Sequence, residues 1–591
     1  MTEIPAAPDA PLDPARDASL KAPLDAAASA ARVVRALVAG GVTDVVVAPG
    51  SRSAPLAYAL AEAEAAGEVR LHVRIDERSA AFTALGLALG AGRPAAVLTT
   101  SGTAVGELLP AVMEANHAAV PLVVLSADRP EELRGTGANQ TTVQPGLFGV
   151  HVRAGSDLAA GVDPYHGVAR ARRPAVGRSA PGEPALPPGP VPLKLAFRDP
   201  LVPDSVSSSA RDGGGPVADV APVQDAEPAP GTDHEASVPE DPGTGRTVVV
   251  AGHGAGELAA VFAAHLGLPL LAEPSSNARF GGSAIAPYRL LLEHLGPMIT
   301  RVVTFGRPTL SRPVAALLAR ADVEHALYLP EPVAWFEDGR RPERIIHPPP
   351  ELLGFAGRGG AGRPAPGRGA GAAAAAAVQT LLAAGPGLNG LHVADAVWEH
   401  TDGNRVLGSS NPIRDVDLVA ATDQHPLEVF ANRGLAGIDG TVSTATGVAL
   451  AAGIPTRALM GDLTFLHDVG GLLLGVGEPQ PDLQLVVLHG GGGGIFGLLA
   501  PGAEPTTARY GAAVERLFGT PHTVDLAALA AAYGLEHQRA GTVEELDAAL
   551  EEPVRGRSVL EIKADRTTLR ELHARVRAVV AAAVVTPAPG S

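Results

Sequence analysis

Short apolar runs rich in Val, Leu and Ala recur along this chain, each closing on a turn with Gly, Ser or Asp and followed by helical patterning. That alternation points to parallel strands joined by crossover helices. Asp44-Val-Val-Val-Ala48, Ala95-Ala-Val-Leu-Thr99 and Leu122-Val-Val-Leu-Ser126 form a first group. Arg246-Thr-Val-Val-Val-Ala251 and Arg301-Val-Val-Thr-Phe305 form a second, and Leu459-Met-Gly-Asp462 with Leu485-Val-Val-Leu488 a third. At 591 residues the chain is too long for one hydrophobic core. The expectation is an α/β protein of three open parallel-sheet domains, at about 26–205, 245–353 and 377–585, behind a disordered tail over 1–25. Pro-, Gly-, Ser- and Ala-rich stretches read as a surface loop near 154–190 and as linkers over 206–244 and 354–376.

A formal net charge of -17 argues against a general nucleic-acid binder, which needs a basic surface to displace counterions. Lys21, Lys194 and Lys563 are the only lysines, so the positive charge is almost all arginine and a single arginine carries little functional weight. Without cysteine there are no disulfides, thiolate metal sites or cysteine nucleophiles. The N-terminus lacks the basic-then-apolar pattern of a signal peptide, and no apolar run reaches the ~18 residues of a membrane span. The simplest reading is a cytoplasmic protein with small-molecule ligands, no nucleic acid and no membrane.

In open α/β sheets ligands bind beyond the carboxyl ends of strands, so the turns after these runs are where function is sought. Pro49-Gly-Ser-Arg-Ser-Ala-Pro55 offers Ser51, Ser53 and the forked guanidinium of Arg52, or is an ordinary strand-to-helix turn with a serine cap. Glu77, in Arg74-Ile-Asp-Glu-Arg78, is either a dipole partner at a helix start or a polar group facing a ligand. The small and polar Thr99-Thr-Ser-Gly-Thr103 nearby weakens the first alternative. Arg129 and Gln140 could clamp and orient a carboxylate, or could belong to a self-contained polar loop. The most specific pair is Met460-Gly-Asp462 and the run His489 to Gly494 before Ile495-Phe496. An aspartate after one strand and a Gly-rich turn after the next can converge on a metal-bound diphosphate, since glycine lets backbone groups approach without a Cβ in the way. No Walker P-loop or His-Glu-x-x-His site is present, and Gly252-His-Gly-Ala-Gly256 lacks Rossmann spacing.

In this order the motifs resemble the thiamine-diphosphate enzyme family of menaquinone biosynthesis. Besides those above, Asp76-Glu-Arg78, Ala127-Asp-Arg-Pro130, Gly137-Ala-Asn-Gln140 and Asn432-Arg-Gly-Leu-Ala-Gly-Ile-Asp-Gly440 carry the resemblance, which spans all three α/β segments. It implies pyrimidine-binding, central and diphosphate-binding domains, with the cofactor held between the first domain of one subunit and the third of another, in a homodimer or dimer of dimers. It implies a transferase that decarboxylates 2-oxoglutarate and adds the succinyl unit to isochorismate, using thiamine diphosphate and Mg²⁺ or Mn²⁺. By the same resemblance Glu77 bonds N1′ of the aminopyrimidine and Ile438 wedges beneath the bent cofactor. Gly461, Asp462, Gly492, Ile495 and Phe496 complete the cofactor's surroundings. Ser51, Arg52 and Gln140 are implied at the reacting centre, with Arg129, Arg312, Ser410, Arg414 and Arg433 around the substrate carboxylates.

One departure stands out. The family's strand before the Gly run ends in two Asn or Asp residues, the second a metal ligand; here the pair is His489-Gly490. The implied metal set is therefore Asp462, Gly490 and Gly492, with His489 an alternative. A thiamine-dependent decarboxylase or carboligase acting on a smaller acceptor, or a degenerate cofactor-binding protein, are the competing readings.

Overall fold

The computed structural model describes residues 23–179, 185–203, 246–337, 339–358, 368–385, 387–423 and 428–585. The first sheet contains β1 (Asp44–Val47), β2 (Arg70–Val73), β3 (Ala95–Thr99), β4 (Leu122–Asp128), β5 (Ser156–Leu158) and β6 (Val191–Ala196). The second contains β7 (Thr247–Ala251), β8 (Leu270–Ala272), β9 (Arg301–Phe305), β10 (Glu324–Tyr328) and β11 (Arg344–Ile346). The third contains β12 (Asn404–Leu407), β13 (Val429–Phe430), β14 (Thr456–Gly461), β15 (Leu483–His489), β16 (Glu536–Ala540) and β17 (Arg557–Lys563). Neighbouring strands within each sheet pair in parallel, as the apolar runs led us to expect.

The alternation inside those runs decides which face each residue covers. Val45, Val47, Leu98 and Leu125 join one core of the first sheet, while Val46, Val97 and Val124 join another on the opposite face. The third sheet does the same, Leu459 and Val486 facing one core, Ala458, Met460, Leu485 and Val487 the other. One core runs without a break from Val248 and Val250 of the second sheet to Leu459 and Leu560 of the third, through the helices Tyr288–Leu295, Arg368–Ala383 and Leu569–Val585.

The first sheet has the order β2-β1-β3-β4-β6-β5 and the third β13-β12-β14-β15-β17-β16, the same order step for step. In each the chain switches direction across the sheet beside its first strand, opening a crevice at the carboxyl ends of β1 and β3, and of β12 and β14.

Two stretches read as structureless are not. Residues 154–190, expected as a surface loop, contain β5 and the helix Tyr165–Ala175, whose Val168, Ala171 and Ala175 are buried against the first sheet. The 354–376 linker is helical at both its described ends: Pro349–Ala356 finishes inside it, and Arg368–Ala383 begins there and buries Ala374. Alanine is the strongest helix former, so low complexity here meant helix. At the N-terminus Asp25, placed in the tail, caps the helix Ala26–Val38 by accepting Ala28 N–H at 2.7 Å. The linker 206–244 and residues 1–22 lie outside the described residues.

The first and third sheets meet where the helix Glu77–Ala91 packs on the helix Thr441–Ala452. The approach is backbone to backbone. A Cβ on Gly86 would sit 2.1 Å from Thr444 O, and one on Gly447 2.2 Å from Thr83 O. Gly86→Ala should therefore destabilise the protein by about 1–3 kcal/mol, the cost of overpacking. Gly511→Ala, in a helix with nothing within 4 Å of the added methyl, should be neutral or slightly stabilising. Parallel urea unfolding curves check the contrast.

Candidate active site

Three groups of side chains gather at carboxyl ends of strands. The first lies beyond the third sheet. Asp462 follows β14 and is buried; its Oδ1 accepts Leu463 N–H at 2.7 Å and its Oδ2 accepts Gly492 N–H at 2.9 Å. Thus the aspartate holds the Gly-rich turn after β15 against its own strand end. Gly492 has φ 141°, and a Cβ there would be 2.3 Å from Gly519 O, so no side chain fits. The cleft beside them is lined by Gly461, Asp462, Gly490, Gly492 and Gly493, by Ile438, Ile495 and Phe496, and by Ser410. Every residue expected around the cofactor is there except Glu77. Arg566, paired with Glu515 at 3.0 Å, also lines it and was not anticipated.

At the outer side of Asp462 two histidines stack, His489 from the end of β15 and His522 from a loop, with ring centroids 5.4 Å apart and planes at 8°. His489 Nδ1 lies 2.6 Å from Glu561 Oε1, and His522 Nε2 lies 3.2 Å from Asp462 Oδ2. Burial opposes ionisation of Glu561, but hydrogen bonds from His489, Arg539, Lys563 and His537 outweigh it and hold its pKa down at about 2. His522 was not foreseen, since it lies some way beyond the glycine run with no motif around it.

The second group lies beyond the first sheet. Arg52 follows β1 and donates to Phe197 O at 3.0 Å; Ser51 precedes it. Arg129 follows β4 and donates to Gln140 O at 2.7 Å and to Ser101 Oγ, while Gln140 Nε2 donates to Ser101 O at 2.9 Å. The Arg129 pKa is lowered by burial and then by the neighbouring Arg52, with Asp128 acting the other way, and Arg52 Nη1 lies 3.8 Å from Asp199 Oδ2.

The third group ties the loop before the Thr441 helix to both other sheets. Arg433 Nε donates to Thr309 Oγ1 at 3.2 Å and its Nη1 to Ser409 Oγ at 3.3 Å. Arg414 Nη1 donates to Ser410 O at 2.6 Å. Burial and then Arg433 lower the Arg414 pKa. Buried Glu114, from the helix Leu109–His117, accepts Gly434 and Leu435 N–H at 2.6 and 2.7 Å. Arg307 donates to Gly434 O at 2.6 Å. Glu273, pushed up to about 7 by burial, accepts Thr309 and Leu310 N–H at 2.9 and 2.8 Å. Arg312 does not join them: it opens the helix Arg312–Leu318 and is exposed, whereas Arg307 and Thr309 from the same segment do the reaching.

Glu77 is the first residue of its helix, half-buried behind the Asp76 cap, and does not line the third-sheet cleft of its own chain. Neither do Ser51, Arg52, Arg129 or Gln140. Within one chain the expected site residues are thus divided among the three sheets, Arg312 alone coming from the second.

Strand-end clefts with a clamped Gly-rich turn fit a diphosphate cofactor, and comparison with known proteins agrees. Residues 28–147 match the N-terminal, and residues 418–562 the C-terminal, TPP binding domain of thiamine pyrophosphate enzymes. A solved structure from Mycobacterium smegmatis, titled as a thiamin diphosphate-dependent enzyme, superposes with a TM-score of 0.61 at 16% identity over 92% of this chain and 100% of that one. The fold and cleft are those of a thiamine pyrophosphate enzyme. More narrowly, the 2-succinyl-5-enolpyruvyl-6-hydroxy-3-cyclohexene-1-carboxylate synthase of Paenarthrobacter aurescens is 58% identical over 94% of this chain and 97% of its own. That of Mycobacterium marinum is 45% identical over 92% and 98%. The chain belongs to this synthase family.

Ser410 is a strained point of the site. Its φ of 79° and ψ of -134° nearly repeat those of Gly102, at φ 86° and ψ -140°, which holds the same place after β3 as Ser410 does after β12. That backbone region is one glycine alone enters freely, and a side chain there costs ~1–3 kcal/mol. Ser410→Gly should raise stability by about 1 kcal/mol and weaken substrate binding, read as a higher unfolding midpoint with a higher KM.

Proposed function

We propose that this enzyme decarboxylates 2-oxoglutarate and adds the succinyl unit to isochorismate, with thiamine diphosphate and a divalent cation. The observation that carries the substrate assignment is the two arginine pairs, Arg52 with Arg129 and Arg414 with Arg433, in each of which one guanidinium pKa is lowered by burial and then by its arginine neighbour. Both substrates are dicarboxylates, and an enzyme for a monocarboxylate has no use for two such groups.

Residues 26–205 serve in this reading as the pyrimidine-binding domain, 245–353 as the central domain and 377–585 as the diphosphate-binding domain. The third-sheet cleft suits the diphosphate and thiazolium: Gly490 and Gly492 to Gly494 leave room for phosphate oxygens, Asp462 offers carboxylate oxygen for the cation, and Ile438, Ile495 and Phe496 give apolar walls. When bound, thiamine diphosphate would supply a nucleophilic carbon for the 2-oxo group and an electron sink for loss of CO₂. The protein's own part is orientation and proton control. Glu77 exchanges a proton with N1′ of the aminopyrimidine. Ser51 and Gln140 orient the reacting carbonyl and ring, and Arg52, Arg129, Arg414 and Arg433 fix the carboxylates, with Ser410 beside them. Arg312, exposed at the head of its helix, would contribute to the carboxylates from the central domain.

Glu77 and the first-sheet arginines lie outside the third-sheet cleft of the same chain, which supports a site shared between two copies, hence a homodimer or dimer of dimers. Among the described residues no helix is long and apolar enough to cross a membrane, and a cytoplasmic setting suits soluble substrates.

The substrate assignment is checked by supplying 2-oxoglutarate with and without isochorismate: CO₂ release should depend on the acceptor, and steady release of a free aldehyde regardless of it would sink the assignment. Glu77→Gln and Asp462→Ala should each abolish turnover with the fold intact. Refolded together, they should recover about a quarter of wild-type activity, because half the dimers carry one wild-type site of two. No recovery on mixing would place both residues in one subunit's site.

A further inference from the structure

Asp462, His489 and His522 come from three places in the chain, and one ligand atom from each lies within 4.8 Å of the other two. The arrangement is built rather than incidental. His489 is buried at the end of β15, and Glu561 on the adjacent β17 holds its Nδ1, leaving Nε2 as the free ligand atom. Glu561 is itself buried and fixed by His537 at 3.0 Å, Arg539 at 3.0 Å and Lys563 at 3.2 Å. A carboxylate behind an imidazole, fixing its orientation and raising its basicity, is the usual support of a metal-ligating histidine. His522 Nε2 is a buried atom without a well-formed hydrogen bond, and it points at Asp462 Oδ2 from 3.2 Å.

The oxygen donors, by contrast, are few. Gly490 has no side chain, and Asp462 already accepts two backbone N–H bonds. Mg²⁺ demands a near-ideal octahedron of oxygens, whereas Mn²⁺, Co²⁺ and Zn²⁺ accept imidazole with increasing affinity. We propose that Asp462, His489 and His522 form a mixed carboxylate–imidazole centre that binds a divalent transition ion in preference to Mg²⁺. The proposal rests on the reading that this cleft holds a metal-bound diphosphate, and it changes which ion completes it. Binding through His522 Nε2 moves that ring's proton to Nδ1, at the expense of the 3.3 Å contact that Val524 N–H makes there. That contact is long enough to be a small loss.

The test uses the full-length protein, stripped with chelator and reloaded with Mn²⁺ and thiamine diphosphate. Pulsed EPR should show ¹⁴N modulation from coordinated imidazole, absent in the His489→Asn, His522→Asn double variant. In equilibrium dialysis that variant should lose Co²⁺ affinity by about tenfold or more while Mg²⁺ affinity holds or rises, with circular dichroism confirming the fold. Bound Mn²⁺ without nitrogen modulation in the wild type, or equal losses for Co²⁺ and Mg²⁺, would overturn the proposal. Calorimetry of thiamine diphosphate in the same samples separates the two readings. Failure of the wild type to bind it with any ion strikes the proposed function, whereas tight binding beside nitrogen-free Mn²⁺ strikes only the imidazole centre.

Discussion

The contact between the helices Glu77–Ala91 and Thr441–Ala452 sets the geometry on which everything else depends. Glycines on both sides let the two backbones close to a distance that no Cβ would permit. The consequence reaches the site at once. Gly440, at the entry to the second helix, lies against the Phe82 ring, where a Cβ would be 1.9 Å from Cγ. The loop before it, with Arg433 and Ile438, is thereby fixed relative to the helix that begins at Glu77. Glu114 then takes both backbone donors of Gly434 and Leu435. Burial raises the Glu114 pKa and those two hydrogen bonds offset it only in part, so a carboxylate that burial disfavours is the pin that keeps the first sheet on the loop.

The first and third sheets share one strand order, and this places chemically unlike residues at corresponding points. Arg52 lies in the turn after β1 and Ser410 in the turn after β12; Ser101 lies in the turn after β3 and Asp462 in that after β14; Arg129 follows β4 and the glycine run follows β15. One crevice is therefore lined with hydroxyls and guanidiniums, the other with backbone amides and a carboxylate. The first suits anionic organic substrates and the second a diphosphate with its cation. A cofactor that spans both must lie between the two crevices. Glu77 does not line the cleft of Asp462 in its own chain, and the shared site proposed above would join the two halves by pairing of copies.

Much of this was legible in the sequence because burial on both faces of a parallel sheet leaves an unmistakable run of Val, Leu and Ala, and because glycine and aspartate after a strand have few other uses. The errors have equally physical origins. Residues 154–190 look structureless from their Pro, Gly and Arg content, yet Val168, Ala171 and Ala175 recur at helical spacing and bury one face. The Ala-rich stretch from Arg368 carries no polar face to give periodicity, although its composition favours helix strongly. At the site, Asp462 and the glycine run announced themselves through local chemistry. Glu114, Arg307, His522 and Glu561 did not, since each acts on a partner distant in sequence, and nothing in a single chain of letters records that proximity.

The aspartate also limits what the glycine run can do. Asp462 spends Oδ1 on Leu463 and Oδ2 on Gly492, with His522 against the same oxygen. A carboxylate so engaged is a rigid, partly saturated donor, well suited to fixing the turn and poorly suited to replacing several waters around a small hard cation. The glycines bring the diphosphate close but offer only backbone groups. A cation held here would draw its remaining ligands from the cofactor, from water, or from the two imidazoles stacked beside the carboxylate. In the proposed centre Gly490 supplies no side-chain oxygen, and the ring that Glu561 holds in place would stand in for it.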